Sequence, residues 1–363
     1  MSAAELLEHC LERNLTFAAY RSPGQAITVL IQRDPGTSEH RGGSGKAFVV
    51  SPFDRSKGPV IAIRPDLVWK EDGVDRFDPL ALALFTGQAP VAADEVDHEW
   101  DLPGFAYAVE RAKEAFTKGI MEKVVLSRKV IRALGSGAIP ALFKSATEAF
   151  PNAMVALVNC PLYGCWIGAS PERMLSINGG MVRIDSLAGT QPSDDAQENP
   201  SDWGEKEREE QAIVTRSILR ALERPDVRKV RSEAPEVIHA GGVAHLRSRI
   251  TAEIGSTDPV TLANVLHPTP AVCGEPRKEA MDFIRKHEPS SRSLYAGYWG
   301  PVDTDDSADL FVNIRCMRII GNHGVIHAGA GITSGSDAEA EWNETVLKAR
   351  TWSDLIEAQR TVR

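Results

Sequence analysis

The chain has no long apolar run, no cluster of basic residues and no regular cysteine spacing, and each absence removes a class of function. None of its hydrophobic stretches approaches the roughly 20 residues that a membrane-spanning helix needs. Lysine and arginine number 41 against 50 acids, a net charge of −9, and they form no basic run. That balance argues against nucleic acid or an anionic membrane as a partner. The cysteines, Cys10, Cys160, Cys165, Cys273 and Cys316, are odd in number and match no zinc spacing, so they read as free thiols in a reducing cytoplasm. No signal peptide opens the chain, because Ala3 to Glu12 is amphipathic and carries acids. Internal repeats and low-complexity segments are also missing. What is left is the composition of an ordinary globular protein, 42% hydrophobic and 25% charged over 363 residues, long enough for a large core.

Residues 1 to about 100 read as a mixed α/β region, with a first helix and then strands at TFAAY, ITVLI and VIAIR. Its RGGSGKA loop has a Gly-Lys pair, but His40 stands where a phosphate loop has its first glycine and no Ser or Thr follows Lys46. A helix, AYAVERAKEAFTKGI, then ends at Gly119. In the strand MEKVVLSRKVIR, Lys123 shares a face with Val125 and Ser127; it is either an edge lysine facing solvent or an inward one. Glu172 follows Pro171 just past an apolar strand, as a plain turn acid or as a carboxyl at the mouth of a cleft. The loop PSDDAQENPSD is mobile or exposed by composition.

Two helices then stand out. In GEKEREEQAIVTRSILRAL, Glu207, Glu210, Val214 and Ile218 are three or four apart, so two acids extend an apolar stripe. In the stretch from His327 to Lys348, a strand and a glycine-rich turn lead into a helix whose start fits an S-x-x-E capping box at Ser336 and Glu339. Glu341, Glu344 and Lys348 share one face of that helix, which continues into Trp352. Either helix could present only a solvated acidic face, or acids favoured by the helix dipole. Four carboxylates converging in the interior would repel one another, and Mg²⁺ would relieve that economically. The turn G-A-G-I-T-S is no dinucleotide fingerprint, since Ser334 replaces its third glycine. Farther back, SLYAGYWG and ADLFVNIRCMRII read as strands, with Arg315 in the middle of the second. A buried arginine needs a carboxylate, the protein's own or a substrate's. The strand-rich pattern fits a large α+β domain with mostly antiparallel sheets.

Taken in order, EKVVLSR, GASPERML, LAGT, EKEREEQ, HPTPAVCG, YAGYWG, IRC, AGAGI and EAEWNETVLK resemble the chorismate-utilising enzymes, over roughly residues 100 to 360. Within that family the pattern is most similar to isochorismate synthases, whose relatives include anthranilate, aminodeoxychorismate and salicylate synthases. The resemblance implies a single α+β domain of two antiparallel sheets packed as a sandwich with helices outside. Residues 1–100 would be a divergent part of that fold and residues 100–363 the catalytic region. It implies a general base at Lys123, a general acid at Glu172, Mg²⁺ ligands at Glu210 and Glu344, and support through water from Glu207 and Glu341. Substrate carboxylates would be held by Arg315, Lys348, Tyr295 and the backbone around Gly189 and Gly329. Ile314 would lie beside Arg315, and Ala271 and Val272 where the family discriminates among nucleophiles.

The implied reaction is the Mg²⁺-dependent, reversible conversion of chorismate to isochorismate by a cytoplasmic monomer without a glutaminase subunit, serving siderophore, salicylate or menaquinone synthesis. Salicylate synthesis or an aminating reaction is the alternative, and a catalytically dead chorismate-binding protein is the reading from outside enzymology. A lysine base must lose its proton, although an ordinary lysine titrates at about 10.4. Four positions depart from the family's pattern: Ser186 where Pro precedes L-A-G, Gln211 where His follows the metal glutamate, and Arg247-Ser248 where a small residue and Thr follow His-Leu.

Overall fold

The computed structural model describes residues 1–36, 38–40, 45–73, 79–88, 100–240, 242–255, 257–303 and 307–361. Most of the RGGSGKA loop lies outside them. Among the described residues every strand pairing is antiparallel, and the strands form one nine-stranded and one ten-stranded sheet. The first sheet runs in the order Gly274–Glu275, Lys123–Ala133, His323–Ile332, Cys316–Ile320, Gly164–Ser170, Met154–Cys160, Thr16–Arg21, Thr28–Gln32, Leu67–Lys70. The second runs Val227–Ser232, Val243–Ile254, Met181–Pro192, Arg173–Asn178, Ser307–Val312, Tyr298–Asp303, Lys46–Ser51, Ile61–Ile63, Ser38–Glu39, with Glu236–Ala240 also paired to Val243–Ile254. Strands from the first 70 residues thus extend both sheets, as parts of one fold.

Alternation along the strands divides the apolar side chains between two cores. Trp166 joins Phe48, Leu126, Trp299 and Phe311 in the core shared by the two sheets. Its neighbour Ile167 points the other way, to Phe17, Met317 and the apolar faces of the helices Ala3–Glu12, Ala138–Ala149 and Ala338–Thr361, which supply Leu6, Phe143 and Trp352. The sandwich with outer helices is the architecture the resemblance implies.

Where the chain leaves one sheet for the other, the sequence reading is corrected. ADLFVNIRCMRII is two strands, Ser307–Val312 in the second sheet and Cys316–Ile320 in the first. Arg315 lies in the crossing between them, with a left-handed φ of 49°, and so is not mid-strand. Pro171 and Glu172 form a second crossing, from Gly164–Ser170 to Arg173–Asn178. The two crossings are tied together: Val312 N–H donates to the Glu172 carbonyl at 3.0 Å and the Ser170 hydroxyl donates to the Val312 carbonyl at 2.5 Å. An unbroken apolar run looks the same in sequence whether or not its strand changes partners halfway. SLYAG is likewise a turn, with positive φ at Ser293 and Ala296, and the strand starts only at Tyr298.

Two local readings also shift. The last helix begins at Ala338 and is capped by Asp337, whose Oδ1 accepts the Ala340 N–H at 2.9 Å. Ser336 instead accepts the Thr333 N–H in the preceding turn, so no capping box forms there. The loop before Trp203 is largely exposed, as its composition predicts, but Trp203 packs on Ala244 and Leu246 and its Nε1 donates to the Gln197 carbonyl at 2.7 Å.

Candidate active site

A cleft opens between the two sheets, lined in part by Glu172, Glu210, Tyr295, Arg315, Gly329 and Lys348. Ala271, Val272 and Ile314 contribute apolar wall, and Ala188 and Thr190, on either side of Gly189, line it too. The crossings explain why: a residue between sheets has neither pleat to follow, and Glu172 and Arg315 are both turned inward there.

Lys123 is the first residue of its strand, a position where a lysine more often faces solvent at an edge. It is wholly buried, and its Nζ donates to Glu210 Oε1 at 2.8 Å. This pair needs the glycine-rich strand His323–Ile332: a Cβ on Gly331 would run into Glu210 Oε1 and come within 3.2 Å of the Lys123 Cε. Two residues back, a Cβ on Gly329 would come within 2.6 Å of the Tyr295 hydroxyl oxygen, so glycine there admits the phenol. Tyr295 is also held by stacking on His327, with ring centroids 5.2 Å apart.

Charges in the cavity are shifted in opposite senses. Burial pushes the Glu172 carboxyl up to about 8; nearby Asp185 adds to this, while Lys123 and Lys348 oppose it. At neutral pH it is therefore a protonated acid. Burial also lowers Arg315, to about 10, which leaves it charged. Its Nη1 donates to Thr351 Oγ1 at 3.1 Å, whereas Nη2 is buried without a hydrogen-bond partner. The backbone carbonyl of Arg315 accepts from Trp352 Nε1 at 2.6 Å, so the buried tryptophan foreseen on the last helix fixes the crossing. An unsatisfied guanidinium nitrogen beside a cavity is a seat for an anion.

The four helix acids are not equivalent. Glu344 accepts from Lys348 at 2.5 Å, and Lys348 also donates to the Gly329 carbonyl at 2.9 Å. Glu341 accepts from Lys206 at 2.5 Å through Oε1, and its Oε2 is buried without a hydrogen bond of ordinary geometry; the Ser336 hydroxyl beside the carboxyl favours its charged form. Burial, then the neighbouring Glu344, raises the Glu341 pKa. Burial also works against Glu210, but Lys123 outweighs it and holds that carboxyl below its usual range. Glu207 is the exception. Its carboxylate turns back over Gly204 at the helix start and holds no lysine among the described residues, and of the four acids only Glu210 lines the cavity itself.

Among the described residues no three potential ligands already stand together as a finished metal cage, because each inward acid holds a lysine. The donor set nevertheless fits a hard cation: it is all carboxylate oxygen, and the orphaned Glu341 Oε2 marks negative charge still short of a partner.

Sequence reasoning missed His245 and Lys206. His245 lines the cavity, bonded through Nδ1 to the Gly189 carbonyl and Thr190 Oγ1 at 3.2 Å each, and burial holds it well below its ordinary pKa, so its ring is neutral. Its inward position on a strand was the available signal. Of the departures from the family's pattern, Ser186, Gln211 and Ser248 meet in one polar network, while Arg247 pairs with Glu236. Ser186 pairs across the sheet with Ser248, Gln211 Nε2 donates to Ser248 Oγ at 3.0 Å and Thr215 Oγ1 at 2.9 Å, and Thr215 meets Ser186 Oγ at 2.8 Å. Nothing in the spacing of these residues along the chain reveals that they touch.

The profile of the family described as chorismate binding enzyme matches residues 85–357. The isochorismate synthase MenF of Escherichia coli is 30% identical over 277 residues, covering 72% of this chain and 62% of that protein. The salicylate biosynthesis isochorismate synthase of Pseudomonas aeruginosa is 33% identical over 260 residues, 69% of this chain and 54% of that protein. The chain thus spans between half and two thirds of the length of these curated relatives. The solved structure of the menaquinone-specific isochorismate synthase MenF from Escherichia coli superposes with a TM-score of 0.77 at 24% identity, covering 95% of this chain and 89% of that one, a likeness of fold. By its motifs, its sandwich and the match along three quarters of its length, the chain belongs to the chorismate-binding enzyme family.

Proposed function

We propose that the protein is an isochorismate synthase, an isomerase that adds water at ring carbon 2 of chorismate and expels the hydroxyl at ring carbon 4, reversibly. The observation that carries this reading is one cavity holding a protonated carboxyl, Glu172, beside a buried guanidinium nitrogen with no partner, on Arg315. Chorismate is a dianion whose leaving hydroxyl needs a proton. Arg315 and Lys348 hold its carboxylates, with the Tyr295 hydroxyl and the backbone at Gly189 and Gly329 completing the seat. Ala271, Val272 and Ile314 form the apolar wall against the ring. Glu172 gives its proton to the departing oxygen, which leaves as water. Lys123, once its own extra proton is gone, takes one from the attacking water; the double bonds of the ring shift and the charges balance.

Glu210 and Glu344 would hold Mg²⁺, with Glu341 behind them through water. When bound there, the metal would supply positive charge that offsets these acids and favours an anionic substrate. Glu207 serves its own helix start. The unpaired cysteines suit a reducing cytoplasm, and the product would feed siderophore, salicylate or menaquinone synthesis.

The test is the product mixture from purified protein, chorismate and Mg²⁺, with ammonium present. Isochorismate is expected in a reversible reaction, turnover stops in EDTA, and Mg²⁺ restores it. Salicylate or an aminated product as the main species overturns the assignment, and full activity in chelator overturns the metal.

A further inference from the structure

Lys206 has no part in that reaction, yet its ammonium bridges the starts of the two helices that carry the acids. It lies in the first turn of Glu205–Ala221, and Glu341 lies in the first turn of Ala338–Thr361. Three carboxylates and three ammoniums pair off in this region: Glu210 with Lys123, Glu344 with Lys348 and Glu341 with Lys206. The lysines differ in how freely they can leave. The Lys123 side chain is 0% exposed and that of Lys348 17%, with a second bond to the Gly329 carbonyl, whereas that of Lys206 is 32% exposed. A lysine with a wetted flank can swing its head group into water at little cost, but a wholly buried one cannot. Glu341 is the converse case. Its side chain is 1% exposed and Oε2 has no normal partner, so it still needs positive charge when Lys206 departs.

We propose that Lys206 is a built-in counter-ion that occupies Glu341 in the metal-free protein and is displaced into solvent when Mg²⁺ enters, so that it sets the metal affinity of the site. This rests on the Mg²⁺ reading above. Without the metal, Lys206 spares Glu341 from facing Glu344 unneutralised. With the metal, an ammonium must first be displaced, which lowers the affinity below what the acids alone would give. Both effects belong to the protein before any substrate arrives, and both are measurable without turnover.

The experiment is calorimetric titration of MgCl₂ into the chelator-stripped full chain, for wild type, Lys206→Met and Lys206→Arg, together with thermal unfolding in EDTA and in Mg²⁺. Lys206→Met is expected to bind Mg²⁺ roughly twofold to fivefold tighter, the worth of one partly exposed ion pair. Its Tm should fall in EDTA and rise more than that of wild type on adding Mg²⁺. Lys206→Arg keeps a cation on Glu341 with a better fork, so its affinity should be equal to or weaker than that of wild type. If Lys206→Met fails to stay folded in EDTA, Lys206→Arg decides by itself, since tighter binding there contradicts the displacement. Unchanged or weaker binding by Lys206→Met, with wild type binding normally, overturns the role of Lys206 and leaves the metal site standing. No saturable Mg²⁺ binding by wild type overturns both.

Discussion

The Glu172 carboxyl is buried at a point where the chain changes sheets, and its pKa of about 8 ties proton transfer to stability. Between the ordinary 4.5 and about 8, the folded protein keeps a proton that the unfolded chain has lost, so the contribution of this group to stability falls as pH rises through that window. The same ionisation removes the general acid. Consequently kcat/KM should decline as pH rises past about 8, and Glu172→Gln should be the more stable protein at the alkaline end, read by thermal unfolding. The variant should lose roughly 10² to 10⁴-fold in kcat while binding chorismate almost normally. Near wild-type turnover by Glu172→Gln would make it a turn residue. Arg315→Gln, in contrast, removes binding that is present in ground and transition states alike, so steady-state kinetics should show the loss mainly in KM.

At the scale of elements, the helix Glu205–Ala221 meets the strand His323–Ile332 at Gly331, and the strands Met181–Pro192 and Val243–Ile254 through a polar network. Gly331→Ala keeps an allowed backbone but places a methyl group against Glu210, so the Lys123–Glu210 pair must move. Activity should drop well over tenfold, because misplacement by about 1 Å can cost roughly 10²-fold. Thermal stability should change far less, and a variant that loses stability in proportion to activity would refute the positional account. Gln211→Leu removes the donor to the buried Ser248 hydroxyl and leaves Thr215 only its bond to Ser186. Urea unfolding should register a loss of about 1–3 kcal/mol. A neutral result would mean the network is dispensable and that the departures from the family's pattern are independent of one another.

For the whole molecule, the decisive feature is that the early strands are shared between sheets. Thr16–Arg21 pairs with Met154–Cys160 in one sheet, and Lys46–Ser51 pairs with Tyr298–Asp303 in the other. Removing residues 1–73 would expose two long strand edges and uncover the core where Trp299 packs on Phe48. The truncated chain should therefore be aggregated or protease-sensitive, with no separate folded catalytic region. A truncated chain with a cooperative unfolding transition would mean that residues 100–363 form a domain by themselves.

Much of this protein was legible along the chain. Helical spacing put Glu341, Glu344, Lys348 and Trp352 on one face, and short-range turn chemistry ended a helix at Gly119, because those patterns are set by neighbours a few residues apart. The order of the motifs carried the sandwich and the family. Local pattern could not reveal where a strand changes sheets. It gave Arg315 a place mid-strand, when strand pairing partners far off along the chain, such as Ser307 with Asn178 and Cys316 with Gly168, bend the chain there and turn both Arg315 and Glu172 into the cavity. Nor could it distinguish Glu207 from Glu210, two acids three residues apart, of which one curls over its own helix start and the other reaches Lys123. The sequence by itself determined which residue types were available and on which face of each element they stood. Burial, and with it the proton on Glu172, the unpartnered nitrogen of Arg315 and the exchangeable position of Lys206, was decided only by tertiary structure, because desolvation depends on everything packed around a group.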